Sequence, residues 1–210
     1  MLPLPPGLAD PSYAGRGERT ADVMRPGGFD QREAPGFHGC RPPYLPLGSR
    51  PDVVVFQTSP LLQAVEATGP IEVHLWVATS AVDTDFTAKL IDVYPPSAWY
   101  PQGYALNLTD SIARLRYRNG RERGELVTPG EAVQLTITLY PTSNLFMPGH
   151  RIRLDVSSSN FPRFDVNPNT GEGIGRERRR VVADNSVFHE RGRESRLVLP
   201  IVPQRGSERG

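Results

Sequence analysis

The chain has 210 residues, with Lys+Arg 24 against Asp+Glu 23, a formal net charge of +1 and a single cysteine, Cys40. That length fits one domain of generous size with a substantial core. A near-neutral balance gives no general reason to expect nucleic acid or an anionic membrane as partner, and one cysteine excludes an intrachain disulfide or a cysteine-based metal framework.

Residues 1–51 are rich in Pro, Gly and Arg and keep no period, which predicts an extended arm over or away from the folded body. The opening MLPLPPGLADP lacks the basic start and unbroken apolar centre of a secretory leader. No later run approaches the roughly 18 apolar residues of a membrane span, so a soluble cytoplasmic protein is expected. The pattern changes at Asp52, where residues 52–203 read as the folded domain and 204–210 as a disordered tail. Residues 53–56 form a short apolar run suited to a buried strand. In 71–78, Ile71, Val73, Leu75 and Val77 alternate with Glu72, His74, Trp76 and Ala78, the period-2 signature of a half-buried strand.

Further strands are predicted over 86–94, 104–108, 112–117, 131–140, 151–158, 181–189 and 196–202, separated by clusters of Gly, Pro, Asn and Asp. In the 151–158 segment Ile152, Leu154 and Val156 share one face, and Arg151, Arg153 and Asp155 the other. Helical periodicity is missing, with room only for short helical turns near 109–113. About nine short strands with irregular connections predict an all-β fold, an antiparallel two-sheet sandwich of jelly-roll or Greek-key type.

Chemistry is harder to find. The G-x-S-x-G turn that exposes a nucleophilic serine is absent, and Ser157, Ser158 and Ser159 end a strand with no helix after them. His38, His74, His150 and His189 lie far apart and read as ordinary surface or rim residues. Asp83 and Asp85, in Asp83-Thr84-Asp85, have the composition to hold a hard cation through carboxylate oxygens, or equally to satisfy loop amides. Arg176, Arg178, Arg179 and Arg180 form a basic run without interleaved aromatics, a solvated loop rather than a nucleic-acid site. The sequon at 107–109 reads as a strand end. Trp76, Trp99, Tyr100, Tyr104 and Tyr117 suit a sugar platform as well as a core cover. Of these, Trp99 and Tyr100 sit among Pro95, Pro96 and Pro101, a stiff hairpin tip able to form a lip against a substrate or another domain. The loop after Ser159 carries Phe161, Arg163 and Phe164, residue types that anchor interfaces, unless both phenylalanines fold back into their own sandwich.

Four ordered motifs then carry a resemblance: DTDFTAKLIDVYP from Asp83, ALNLTDSIARLRYR from Ala105, LYPTSNLFMPGHRIRLDVSSSNFPRFDVNPNTG from Leu139, and VFHERGRESRLVLPIV from Val187. With GFDQRE from Gly28 and PDVVVFQTSPL from Pro51, they resemble the C-terminal domain of the X-prolyl dipeptidyl-peptidase and cocaine-esterase (CocE/NonD) family of serine hydrolases, over roughly residues 28–203. The resemblance implies a jelly-roll, galactose-binding-like sandwich that frames an α/β-hydrolase domain acting on esters or amides. It supplies no catalytic residue here, because the family's serine, aspartate and histidine belong to that preceding domain. Residues 25–51 resemble the return linker between the two. The implied partner is an α/β-hydrolase domain or chain, with no cofactor; Asp83, Asp85, Trp99, Tyr100, Phe161, Arg163 and Phe164 are the contact candidates. An autonomous carbohydrate- or ligand-binding module is the alternative, and the oligomeric state stays open.

Overall fold

A computed structural model describes residues 2–3, 30–34, 40–161, 163–173, 175–176 and 178–203. The reading of 204–210 as a tail and the structural role expected of His38 lie outside the described residues, as does most of the arm before Asp30.

Among the described residues ten strands make two antiparallel sheets: β1 (Leu2–Pro3), β2 (Val54–Gln57), β3 (Val65–Thr79), β4 (Asp85–Tyr94), β5 (Tyr104–Arg114), β6 (Val133–Phe146), β7 (Arg151–Ser157), β8 (Asn185–Glu190), β9 (Arg193–Glu194) and β10 (Arg196–Val198). The larger sheet runs β1-β10-β3-β8-β9 with β6 on the other side of β3, and the smaller runs β2-β7-β4-β5. Alternation decides which side chains meet between them. Ile71, Val73, Leu75 and Val77 of β3 and Leu135, Ile137 and Leu139 of β6 face Phe86, Ala88 and Leu90 of β4 and Ile152, Leu154 and Val156 of β7 in one buried core. At roughly 25 cal/mol per Å² of apolar surface removed from water, that core is the main term holding the two layers together.

The all-β sandwich agrees with the sequence reading, while several strand limits move. β3 begins at Val65, crossing Gly69-Pro70 through a register shift at Gly69/Ile71. Gly69 has φ 134°, which favours glycine, and Pro70 has no N–H to donate, so the ladder bulges there instead of ending. β5 runs unbroken through Thr109 and Asp110, where a turn had been expected, because Asp110 pairs with Lys89 and Thr109 with Leu90 across the strand. No helical turn forms at 109–113; a 3-10 turn spans Leu115–Tyr117 instead. Residues 181–184 lead into β8 without joining it, and Val181 N–H bonds to Pro168 O.

The outer face of the smaller sheet is not open to water. Gln31 N–H donates to Ala105 O, Asp30 bridges Leu106, and Leu47 N–H donates to Gln31 O, so residues 30–34 and 44–50 lie across it. Gln31 and Leu47 are each 1% exposed. The loop after β7 covers the rest.

Candidate functional site

Polar side chains on that covered face form a row across three strands. Lys89 of β4 stands opposite Asp110 of β5 and Asp155 of β7, and Asp85 opposite Arg114. Lys89 is fully buried; its Nζ donates to Gln31 Oε1 at 3.1 Å. Burial lowers its pKa from 10.5 to about 8, against the upward pull of the Asp110 and Asp155 charges. Asp110 also accepts from Asn160 Nδ2 at 3.0 Å and from Arg163 Nη1. Asp155 takes a bidentate pair from Arg153, both bonds 2.6 Å. Each buried charge thus has a partner, as a low-dielectric layer demands. Sequence reasoning missed Lys89, Asp110 and Asp155. The available signal was that Lys89 is the only lysine of the chain.

Asp83 and Asp85 sit one strand-end further along, both buried. Asp83 Oδ1 accepts the Arg116 backbone N–H at 2.9 Å, and its Oδ2 accepts Arg116 Nε at 2.7 Å. Asp85 accepts Arg114 Nε at 2.8 Å and Nη2 at 3.0 Å. Asn167 Nδ2 bridges the two carboxylates, at 3.1 Å from Asp83 and 2.8 Å from Asp85. Burial raises the Asp85 pKa, Arg114 and Asn167 hold part of that rise back, and the Asp83 charge adds to it. All four carboxylate oxygens serve protein donors, so this pair staples the 83–85 loop to the 114–116 and 167–172 segments and presents no cation cage.

Trp99 and Tyr100 do project, at 88% and 41% exposure. Behind Trp99, Tyr94 meets the Tyr100 and Tyr104 rings edge to face, those two are tilted against each other, and Tyr94 lies 4.3 Å from the His150 ring. His150 is buried and its Nδ1 lies 2.9 Å from Asp92 Oδ1, which corrects the rim reading: β4 and β7 converge there and enclose the pair. Phe161 and Phe164 are half-buried. Arg163, besides bonding Asp110, lies 5.3 Å from the Tyr140 ring centroid and 5.5 Å from that of Phe164. Its guanidinium therefore serves its own domain first.

Two adjoining clefts share Arg114 and Asp165. One, about 510 Å³, is lined by Asp85, Tyr117, Arg121 and Phe164 among others; the second, about 600 Å³, by Phe161 and Arg178 to Arg180. Neither brings a serine beside a histidine among the described residues. Ser157 Oγ lies 2.7 Å from Thr87 Oγ1 and donates to Ser159 O, while Ser158 Oγ accepts Asn185 Nδ2 at 2.7 Å. These hydrogen bonds fasten the end of β7. Asn107 of the sequon is buried within β5. No helix among the described residues is long and apolar enough to cross a membrane.

A family model described as the X-Pro dipeptidyl-peptidase C-terminal non-catalytic domain matches residues 12–198. The chain belongs to that family. Cocaine esterase of Rhodococcus sp. strain MB1 Bresler is 44% identical over 159 residues, which cover 75% of this chain and 27% of the esterase. Among solved structures, an alpha-amino acid ester hydrolase matches with TM-score 0.70 and 33% identity over 74% of this chain and 26% of that one. An aminopeptidase from a marine sediment Thaumarchaeota archaeon matches with TM-score 0.70 and 31% identity over 75% and 27%. The chain thus spans about a quarter of the length of the hydrolases it matches, as their C-terminal part.

Proposed function

We propose that this chain is a scaffold for acyl-transfer chemistry carried out elsewhere: residues 52–203 pack on and frame an α/β-hydrolase domain that cleaves esters or amides, with residues 1–51 as arm and linker. The observation that carries the reading is the match itself, confined to the non-catalytic C-terminal quarter of an esterase, an amino acid ester hydrolase and an aminopeptidase. The closed ion-pair network supports it, since a buried carboxylate already paired with Arg has no proton-transfer role left to play. Phe161, Arg163 and Phe164, with Trp99 and Tyr100 beyond the far end of β4, are the contact residues under this reading, while Asp83 and Asp85 hold the loop that carries the first three through Asn167.

The test is enzymatic. Purified chain is expected to hydrolyse neither p-nitrophenyl butyrate nor an X-Pro-p-nitroanilide above the rate of heat-treated chain. Turnover that saturates with substrate and survives further purification would defeat the reading.

A further inference from the structure

The arginine run at 176–180 reads as solvated in the sequence because no aromatic residue interleaves with it. The fold supplies aromatics from elsewhere. Phe161, on the loop after β7, lines the cleft of about 600 Å³ together with Arg178, Arg179 and Arg180. Tyr117, which closes the 3-10 turn after β5, and Phe164 line the adjoining cleft of about 510 Å³. That second cleft opens where β5, at the edge of the smaller sheet, meets β6, at an edge of the larger one, and Ser111, Thr136 and Thr138 bring hydroxyls to its wall. Both volumes fall in the range of roughly 300–1,000 Å³ usual for small-molecule sites.

Charge is concentrated in the same place. The whole chain has a formal net charge of +1, yet the two clefts set Arg114, Arg118, Arg121 and Arg178 to Arg180 against Asp85 and Asp165 alone. Asp85 engages Arg114 through both oxygens, and Arg118 donates to Glu125 O with the Glu125 carboxylate 4.0 Å away. Arg121, Arg178, Arg179 and Arg180 are exposed and form no ion pair among the described residues. The loop that carries the last three is fixed at both ends: Arg178 N–H donates to Glu172 Oε2 at 3.1 Å, Val181 N–H to Pro168 O, and Asn169 Nδ2 to Val181 O at 2.9 Å. A concave wall with a surplus of guanidinium groups focuses its field on an anion, and a fixed loop loses less order when one binds. The planar guanidinium matches phosphate oxygens in pairs.

The two compartments differ in kind. Half-buried rings and hydroxyls line one, guanidinium groups without carboxylate partners the other, and the exposed Asp165 carboxylate, which has no ion pair among the described residues, stands where they join. A matching ligand has a planar aromatic group at one end, hydroxyls that donate to Asp165 in the middle, and phosphates at the other end. The carboxylate repels phosphate from the middle position and so sets the ligand's direction. We infer that the paired clefts bind a nucleoside diphosphate or triphosphate, with its base against Tyr117 and Phe164 and its phosphates on Arg178 to Arg180. The site is complete within this chain. Under the scaffold reading Phe161 and Phe164 also touch the hydrolase portion, which puts the ligand at the edge of that contact.

Calorimetry on the full chain, without divalent cations, tests it with ADP, adenosine and pyrophosphate as separate probes. ADP is expected to bind, and adenosine and pyrophosphate each to bind about tenfold or more weakly than ADP. Arg179→Glu combined with Arg180→Glu, both at exposed positions, is expected to weaken ADP by about tenfold or more. Tyr117→Leu keeps an apolar filler but removes the stacking ring, and is expected to weaken ADP by about fivefold or more while leaving pyrophosphate unchanged. A silent ADP titration overturns the inference and leaves the scaffold reading standing. So does ADP binding that neither variant alters, or pyrophosphate binding as tight as that of ADP, which assigns the clefts to anions in general. A single-stranded oligonucleotide that binds more tightly than ADP at equal salt assigns the surface to nucleic acid and overturns the inference as well.

Discussion

Replacing Lys89 by methionine is expected to remove a contribution to stability that grows between about pH 8 and 10.5. The folded value is about 8 against 10.5 for a free lysine, chiefly through burial. Over the interval between them the unfolded chain still holds the proton and the folded chain does not, so folding releases a proton and stability climbs with pH. Below about pH 8 both states are charged and above about 10.5 both are neutral, so the contribution is flat outside the interval. At 1.36 kcal/mol per pH unit, the gap is worth about 3 kcal/mol. Urea unfolding of the unaltered chain and of Lys89→Met, at steps from about pH 7 to pH 10.5, measures it. Contributions common to both chains cancel in the difference. The difference should grow by about 3 kcal/mol in favour of the unaltered chain between pH 8 and 10.5. Parallel curves would refute the placement of the amine beneath Gln31.

Three further substitutions probe the network. A Cβ at Gly48 would collide with Arg153 Nη2, and Asp155 holds that guanidinium, so Gly48→Ala should cost about 1–3 kcal/mol in urea unfolding. An unchanged midpoint would mean the arm lies elsewhere. His150→Phe leaves Asp92 with Asn144 Nδ2 at 3.3 Å as its remaining side-chain donor, and thermal unfolding should register a loss of about 1–3 kcal/mol. Asn167→Leu removes the donor that Asp83 and Asp85 share, leaving two buried carboxylates to repel. A loss of about 2–4 kcal/mol is expected near pH 7, shrinking as acid protonates Asp85, whose folded pKa is raised.

The inward faces were legible in the sequence because period 2 is a local property. Ile152, Leu154 and Val156, like Phe86, Ala88 and Leu90, point to the core as their alternation predicts. The other face was not. Thr87, Lys89, Arg153 and Asp155 carry the same polar pattern as a solvated face, and only the arm and the loop after β7, contacts distant in sequence, turn it into a buried layer. For the same reason Asp83 and Asp85 read as a possible cation pair until Arg114, Arg116 and Asn167 came into place. The turn expected at Thr109-Asp110 failed because cross-strand pairing with Leu90 and Lys89 outweighs the turn preference of those residues. At the hairpin the local signal sufficed: prolines around two aromatics predict a stiff tip, and Trp99 projects from it.

The central claim is that this sandwich stabilises a hydrolase it does not itself contain. The most direct measurement is the half-life at elevated temperature of the esterase activity of the Rhodococcus hydrolase portion, with and without one equivalent of this chain. A half-life lengthened several-fold, saturating at equimolar chain, is the expected result. A half-life indifferent to the chain, under conditions where the relative's own C-terminal segment prolongs it, would contradict the account.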